Sequence, residues 1–300
     1  MSVLAQLKTV HVEAEKKSDR PPLLLLHGIG NGAWIWERDQ KRMSELGFSS
    51  FAVNLPGHGP DVGGNPSLDE VRDVVLQAVE ELGEPPCVIG HSMGGLIAQM
   101  VASEAELHSM VLVNSAAPKQ VSMTPQKHHI GPALQKIVPV LLGRNLDLRG
   151  RHYRDLGFNC VPEEDKDELE AKLSPWPNKL TRQMVFSRPE VVSKPCPVLV
   201  TCGLKDRVIS FRVARLLGDF HHNAITWRFD DLGHFPQVEP GGLRLIEAAL
   251  EWVANPTSRK VLEIKAFRPD EGVGDTERKR RTPHPERSDS RFKGRFKSRD

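Results

Sequence analysis

Long hydrophobic runs are absent from this sequence. The N-terminal segment, MSVLAQLKTVHVEAEKK, has no apolar stretch of the length that a signal peptide needs. No other segment approaches the roughly 18 consecutive apolar residues that a transmembrane helix requires. We therefore expect a soluble, cytoplasmic protein with no membrane span.

Cysteine is scarce as well. The chain has 4 cysteines among 300 residues, and no two of them form a CxxC pair. Such spacing is not that of a disulfide framework or of a zinc site, so we expect neither. Most of them lie in or beside predicted buried strands, where a free cysteine packs as a small hydrophobic side chain. The cysteines are Cys87, Cys160, Cys196 and Cys202.

Neither sign of charge is in large excess, but the charges are unevenly distributed. The formal net charge is +2, yet residues 255–300 hold 14 Lys and Arg against 8 Asp and Glu, which leaves 27 against 31 in residues 1–254. The C-terminal segment also has few aliphatic residues and cannot bury enough apolar surface to offset its ordering entropy. We predict a basic tail at 256–300, disordered from about Asp270 onward. Its RFKGRFKSR sequence leaves polyanion binding open, although we favour a solvated appendage.

Strand-like and helix-like segments alternate along most of the chain. This pattern predicts an α/β fold, with a mainly parallel sheet covered by helices on both faces and a single large core. The predicted strands are Leu23–Leu26, Phe51–Asn54, Cys87–Ile89, Met110–Val113 and Val198–Cys202. The predicted helices are Ala33–Leu46, Leu68–Leu82, Gly94–Ser103, Arg212–Phe220 and Leu243–Val253.

One stretch interrupts this alternation. Residues 117–194 are too many for a simple loop between two strands of a compact domain, so they must contain structure of their own. Apolar spacing at Leu134, Ile137, Val138, Leu141 and Leu142 predicts one helix, and Asp165–Leu173 predicts another. We therefore expect core residues 1–116, an inserted helical cap at 117–194, core residues 195–255 and the tail at 256–300.

The clearest chemical motif is the G-x-S-x-G sequence at Gly90–Gly94. It directly follows the apolar run CVI and directly precedes a helical pattern. A nucleophile on a tight strand-to-helix turn needs glycines on both sides, because a neighbouring Cβ would clash with the backbone. We therefore predict that Ser92 is the nucleophile.

A nucleophilic serine needs a base, and the base needs a carboxylate that holds its tautomer. In this type of fold the order is serine, acid, histidine. Asp206 follows a predicted buried strand, and His234 follows the strand-like segment ITWRF, so we predict that they are the acid and the base. Asp230 and Asp231 are competing acids, but they lie too close to His234 in sequence to approach it from a separate strand.

An oxyanion needs backbone N–H donors, and a substrate needs a pocket. The segment His27–Gly30 ends the first predicted strand and begins a glycine-rich loop. We predict that Ile29 and Met93, the residue after the nucleophile, donate the N–H groups. The candidate pocket residues beside them are Gly28, Trp34 and His91.

These motifs together resemble the α/β-hydrolase superfamily over roughly Leu23–Val253. The resemblance rests on LLLLHGIGNGAWIW, VNLPGHG, VIGHSMGG, PCPVLVTCGLKDRVIS and LGHFPQVEP. The first of these is similar to the opening of small esterases related to plant methylesterases and hydroxynitrile lyases. The resemblance implies the core fold, the Ser92–Asp206–His234 triad and a mechanism without a cofactor.

Several positions depart from patterns of that superfamily. Many relatives have Asp where this chain has Asn54, and some place the acid after the fourth predicted strand, where this chain has Ala116 and Ala117. Hydroxynitrile lyases of this type have Lys immediately after the histidine, where this chain has Phe235. Epoxide-opening and halide-displacing relatives have Asp in the place of Ser92.

The expected function is therefore that of a serine esterase. The enzyme would cleave a carboxylic ester, or a related acyl bond, of a small apolar substrate through an acyl-enzyme. Two alternatives stay open: a protein of the same fold that binds a small ligand with little turnover, and a hydrolase of carbon–carbon bonds. The sequence does not indicate an oligomeric state.

Overall fold

An eight-stranded sheet forms the centre of the molecule in a computed structural model, which describes residues 1–16, 18–123, 140–147, 149–222, 224–256 and 268–269. The strands are β1 (Val10–Val12), β2 (Leu23–Leu26), β3 (Ser50–Val53), β4 (Cys87–His91), β5 (Ser109–Val113), β6 (Val198–Gly203), β7 (Ala224–Phe229) and β8 (Arg268–Pro269). The helices are α1 (Val3–Gln6), α2 (Glu37–Glu45), α3 (Leu68–Leu82), α4 (Met93–Ala102), α5 (Arg151–Leu156), α6 (Glu163–Ala171), α7 (Asn178–Phe186), α8 (Phe211–Phe220) and α9 (Leu243–Ala254).

The strand order places the predicted site residues, which follow β2, β4, β6 and β7, at the same edge of the sheet. The order is β1-β3-β2-β4-β5-β6-β7-β8, with β1 and β8 antiparallel to their neighbours and the six strands between them parallel. From β2 the chain first moves outward to β3 and then returns to β4 on the other side of β2. Ligand sites of open α/β sheets lie at such a reversal, beyond the carboxyl ends of the strands.

The central strands are buried on both faces, which explains their continuous apolar sequences. In β2, Leu24 and Leu26 face one core cluster and Leu23 and Leu25 face the other, because successive side chains of a strand point in opposite directions. Helices α3, α4 and α8 cover the first face, and α2 and α9 cover the second. The predicted fold class is confirmed.

The bounds of most predicted elements agree with the structure to within one or two residues. The predicted helix from Ala33 is the main exception, since a 3₁₀ turn at Ala33–Trp36 comes before α2. The side-chain oxygen of Asn54 accepts a hydrogen bond from the Ala33 N–H at 2.9 Å, which ties this turn to the end of β3. Strands β1 and β8 were not predicted. Both are short edge strands, and the Val10–Val12 strand is largely exposed, so no buried periodicity marks it.

Three helices lie between β5 and β6 within the described residues, namely α5, α6 and α7. The helix predicted at Asp165–Leu173 corresponds to α6. The stretch between β5 and β6, called the inserted segment below, contacts the loop after β2, since the Ser174 N–H donates to the Gly30 carbonyl oxygen at 2.9 Å. The boundaries of the inserted cap stay a prediction. Of its predicted first helix, Leu134, Ile137 and Val138 lie outside the described residues, whereas Leu141 and Leu142 are described and exposed, at 56% and 69%.

The described chain from Met1 to Pro269 belongs to one compact unit. The tail from Asp270 onward, with its predicted disorder and polyanion binding, lies outside the described residues. Cys87, Cys196 and Cys202 are buried and Cys160 is partly exposed, all as free thiols. Among the helices that the structure describes, none has the length and hydrophobicity needed to cross a membrane.

Candidate active site

The turn between β4 and α4 holds Ser92 in an unusual backbone conformation. Its φ of 53° and ψ of −117° place a non-glycine residue at positive φ. Such conformations cost roughly 1–3 kcal/mol and persist only where the surrounding structure enforces them. This turn has the strand–serine–helix geometry of a nucleophile elbow, and it leaves Ser92 itself 8% exposed.

Close packing around this turn explains the glycines of the motif. A Cβ on Gly90 would lie 2.4 Å from the Gly94 carbonyl oxygen, and a Cβ on Gly94 would lie 2.3 Å from the Leu26 carbonyl oxygen. A Cβ on Gly95 would lie 2.2 Å from the Ser115 hydroxyl. The turn can therefore close only because these positions have no side chain.

We predict that Gly94→Ala lowers both stability and the ester turnover expected from the sequence. Its Cβ would push on the backbone at the end of β2, where the glycine-rich loop begins, and overpacking of this kind costs about 1–3 kcal/mol. Gly83→Ala is the matched control: Gly83 also has positive φ, at 75°, but nothing lies within 4 Å of its Cβ position. In thermal unfolding, both variants should be less stable than the wild type. In ester turnover, only Gly94→Ala should be slower. Equal turnover in the two variants would contradict the prediction.

The loop after β2 lies directly beside the serine. A Cβ on Gly28 would be 3.0 Å from the Ser92 Cβ, so the two residues are in contact. Ile29 follows in this loop, and Met93 is the first residue of α4, where backbone N–H groups have no partner within the helix. Both predicted oxyanion donors therefore lie on the segments that flank the Ser92 side chain.

The predicted acid and base form a buried pair. The Asp206 Oδ2 atom accepts a hydrogen bond from His234 Nδ1 at 2.8 Å, and both side chains are at most 5% exposed. The other carboxylate oxygen of Asp206 accepts from the N–H groups of Val208 and Ile209, at 2.7 and 2.9 Å. Asp206 is thereby oriented from one side by backbone and holds the imidazole with its Nδ1 protonated, which leaves Nε2 to accept a proton.

The competing acids are engaged elsewhere. Asp230 pairs with Arg228 at 3.3 Å, and Asp231 pairs with Arg244. The side chains of both aspartates are about half exposed, at 53% and 51%. Asp206 is therefore the carboxylate that the structure brings to the His234 ring.

The alpha/beta hydrolase family model matches residues 23–244, which is most of the chain. The chain belongs to this family. The match confirms the resemblance found in the sequence, and it spans β2 to α9, which includes the loop after β2, Ser92, Asp206 and His234.

Individual relatives of this family member are distant. A pimeloyl-[acyl-carrier protein] methyl ester esterase of Vibrio vulnificus is 25% identical over 185 residues, which cover 62% of this chain and 66% of that protein. Methylesterase 7 of Arabidopsis thaliana is 30% identical over 95 residues, 29% of this chain and 35% of that protein. The chain thus matches less than two thirds of either curated relative's length.

Solved structures of other proteins share the fold over most of this chain. A monoacylglycerol lipase of Paleococcus ferrophilus has a TM-score of 0.63 at 24% identity and covers 83% of this chain and 98% of its own. The Arabidopsis methylesterase MES16 has a TM-score of 0.61 at 17% identity, with 78% and 99% covered.

The candidate pocket residues differ in their surroundings. Gly28 lies against Ser92, as described above. Trp34 is partly exposed, and the Lys172 ammonium lies 5.7 Å from its ring centre. His91 is fully buried, and its Nε2 donates to the His234 carbonyl oxygen at 2.8 Å. Burial, followed by the neighbouring His234, lowers the pKa of His91 well below its ordinary value, so this α/β hydrolase keeps His91 neutral beside His234.

Sequence analysis missed Asn114, a fully buried residue just past β5. Its amide nitrogen donates to the carbonyl oxygens of Gly233 and His234, at 2.8 and 3.0 Å, and its oxygen accepts from the Gly203 N–H at 2.9 Å. Asn114 thereby links the loop that holds Asp206 to the loop that holds His234. Its positive φ of 44° belongs to a conformation in which Asn is enriched, but the sequence VNSAAP contains no other sign of this role.

Proposed function

We propose that this α/β hydrolase is a serine esterase that cleaves a carboxylic ester of a small apolar substrate through an acyl-enzyme. The observation that carries the proposal is the 2.8 Å hydrogen bond between Asp206 and His234, beside a serine on a strained strand-to-helix turn. The printed names of the relatives support it, since they include methyl ester esterases, a methylesterase and a monoacylglycerol lipase.

In the first half of the proposed reaction, the Ser92 hydroxyl oxygen attacks the ester carbonyl carbon while His234 Nε2 takes the hydroxyl proton. The carbonyl oxygen becomes an oxyanion that accepts hydrogen bonds from the N–H groups of Ile29 and Met93. The C–O bond of the ester then breaks, and the alcohol leaves with the proton from His234. Ser92 remains as an acyl ester.

In the second half, water replaces the alcohol. His234 takes a proton from the water as its oxygen attacks the acyl carbon, and it returns a proton to the Ser92 oxygen as the acid product leaves. Asp206 keeps the imidazole in the required tautomer and stabilises the imidazolium in both halves. Within the described residues the Ser92 hydroxyl and His234 make no direct hydrogen bond. Such bonds are commonly long without substrate and tighten in the complex.

The acyl and alcohol groups of the substrate would lie beside the loop after β2, which carries Gly28 and Ile29. Gly28 allows the substrate carbonyl to approach the backbone, because any side chain there would touch Ser92 and His91. Trp176 of the inserted segment packs over the same loop, with its Nε1 atom 2.4 Å from a Cβ position on Gly30. Together with Trp34 these indoles favour an apolar substrate group over a charged one.

Turnover of short p-nitrophenyl esters tests the proposal. We expect repeated turnover with acyl-enzyme accumulation as a burst, and a decline in rate as the ester is replaced by an amide of the same acid. Tight binding of the ester without product release would instead support a ligand-binding protein. A comparison of esters, lactones, thioesters and β-diketones in one panel then defines the bond that is cleaved.

For the acid we predict that Asp206→Asn lowers kcat by about 10⁴-fold with little change in KM, since an amide would hold the wrong imidazole tautomer. Asp231→Asn is the matched control, because it also removes a carboxylate near His234 in sequence but one that is exposed. Steady-state kinetics should show a near-normal rate for the control alone. A near-normal rate for Asp206→Asn would exclude its role.

A further inference from the structure

The loop that holds His234 encloses a second carboxylate, that of Glu239, which is only 1% exposed. Its Oε2 atom accepts a hydrogen bond from the Gly233 N–H at 2.6 Å. Its Oε1 atom accepts one from the Phe235 N–H at 2.9 Å. The two donors are the backbone neighbours of His234 on either side, so one side chain holds the base residue from both directions.

Only a carboxylate can make both bonds. A glutamine in the same place has one acceptor oxygen and an NH₂ group, which would face one of the two N–H donors without an acceptor between them. The clearance is also small, since a Cβ on Gly233 would lie 2.8 Å from Oε1. The two N–H donors therefore require an ionised glutamate at this position. The small clearance requires that residue 233 has no side chain.

The far end of the same loop is fixed to α2. The Arg38 guanidinium donates to the carbonyl oxygens of Pro236 and Glu239, at 2.7 and 3.0 Å. The backbone of Glu239 thus cannot shift away from the sheet without breaking these bonds. The Glu239 carboxylate therefore contacts the neighbours of His234 from a backbone that is held in place.

Burying a carboxylate costs free energy, so the groups that compensate the charge of Glu239 show what it interacts with. Removing such a charge from water costs several kcal/mol unless partners compensate. Burial is the main cause that raises the pKa of Glu239, whereas its two N–H donors and His234 lower it. The charge therefore interacts favourably with the base, in addition to the geometry that it imposes.

The other titratable and charged groups around the base lie on separate elements. Asp206 faces His234 from the loop after β6 and favours the imidazolium, while His91 faces it from the end of β4 and is neutral. Cys160, from the inserted segment, lies against Gly233, and its pKa is raised chiefly by burial and then by Glu239. Arg38 lies against the loop from α2.

We infer that Glu239 is a positioning residue for the base: it fixes the His234 backbone through both neighbouring N–H groups, and its charge favours the protonated imidazole that forms during the reaction. This inference rests on the proposed function of His234. It assigns to the site a second carboxylate, one that does not touch the imidazole ring and acts through the backbone and through its charge.

The test is Glu239→Gln, with Asp231→Asn as the exposed control from the same loop. We expect Glu239→Gln to lower kcat by about 10- to 100-fold, the loss typical of residues that orient a metal-binding histidine, while KM changes little. The midpoint of the His234 titration, followed by NMR of ¹⁵N-labelled histidine, should move to lower pH because the imidazolium loses a neighbouring anion. Asp231→Asn should leave both quantities near those of the wild type.

A second variant covers the case in which Glu239→Gln does not fold. Glu239→Asp keeps the charge but is too short to span both N–H groups, so we expect a lowered kcat with a titration midpoint close to that of the wild type. A normal kcat and an unchanged midpoint in every folded variant would overturn the inference. The NMR titration needs no substrate. A wild type without ester turnover would therefore refute the proposed function while the role of Glu239 toward His234 is still decided.

Discussion

Ser92→Ala is expected to lower kcat/KM for a short p-nitrophenyl ester by about 10⁶-fold, as removal of the nucleophile does in serine hydrolases. In the proposed mechanism, the Ser92 hydroxyl supplies the oxygen that forms the acyl-enzyme. Alanine has the same Cβ as serine, so the φ of 53° is no more strained in the variant. We therefore expect an unchanged melting temperature together with the loss of turnover.

A fluorophosphonate probe provides the direct measurement for Ser92, because it forms a covalent bond only with an activated serine. Wild type should be labelled and Ser92→Ala should not. Ser115→Ala is the matched control, since Ser115 is a buried serine behind the same turn, with its hydroxyl donating to the Ala116 carbonyl oxygen at 2.7 Å. The control should be labelled like the wild type. Labelling that persists in Ser92→Ala would refute the assignment.

His234→Gln should reduce kcat by a similar factor, about 10⁶-fold, because serine and histidine act as one unit and the loss of either removes their joint effect. Glutamine has no group that accepts a proton near neutral pH. In the wild type we expect the rate to fall on the acid side as the imidazole becomes protonated, since only the neutral ring can accept the serine proton.

The measurement is kcat/KM across pH 5 to 8 for wild type, His234→Gln and His222→Gln. His222 is an exposed histidine near the end of α8, so its replacement should leave the acid limb of the profile in place. The residual rate of His234→Gln should show no such limb. If the wild-type rate does not change over this range, a histidine base is excluded.

Local sequence signals were sufficient to predict the fold and the tight turn at Ser92. The run LLLL and the segment Cys87–Ile89 predicted buried strands because strands buried on both faces have continuous apolar sequences. The glycines around Ser92 identified the turn because close packing there leaves no room for a Cβ. Asp206 was singled out in the sequence by its position after a strand, and the structure brings it to the His234 ring.

The residues that hold the His234 loop in place have no comparable local signal. Asn114 contacts Gly233 across a separation of 119 residues, and a single asparagine after a strand is too common to indicate such a contact. Glu239 lies close to His234 in sequence, but only the folded loop shows that both of its carboxylate oxygens face backbone donors. Buried polar side chains of this kind depend on tertiary contacts that hydrophobic periodicity does not encode.

The long separation between the two halves of the site has a consequence for its assembly. His91, next to the nucleophile, and His234 are 143 residues apart, and the strands β6 and β7 that present Asp206 and His234 follow the inserted segment. Contacts of such high sequence separation form late in folding, because a large loop must close before they are made. During synthesis the Ser92 turn therefore emerges well before His234, the base in the proposed mechanism. By the proposed mechanism, a nascent chain that ends before β7 would have Ser92 without its base, and ester turnover should recover late in refolding, after the helical content has returned.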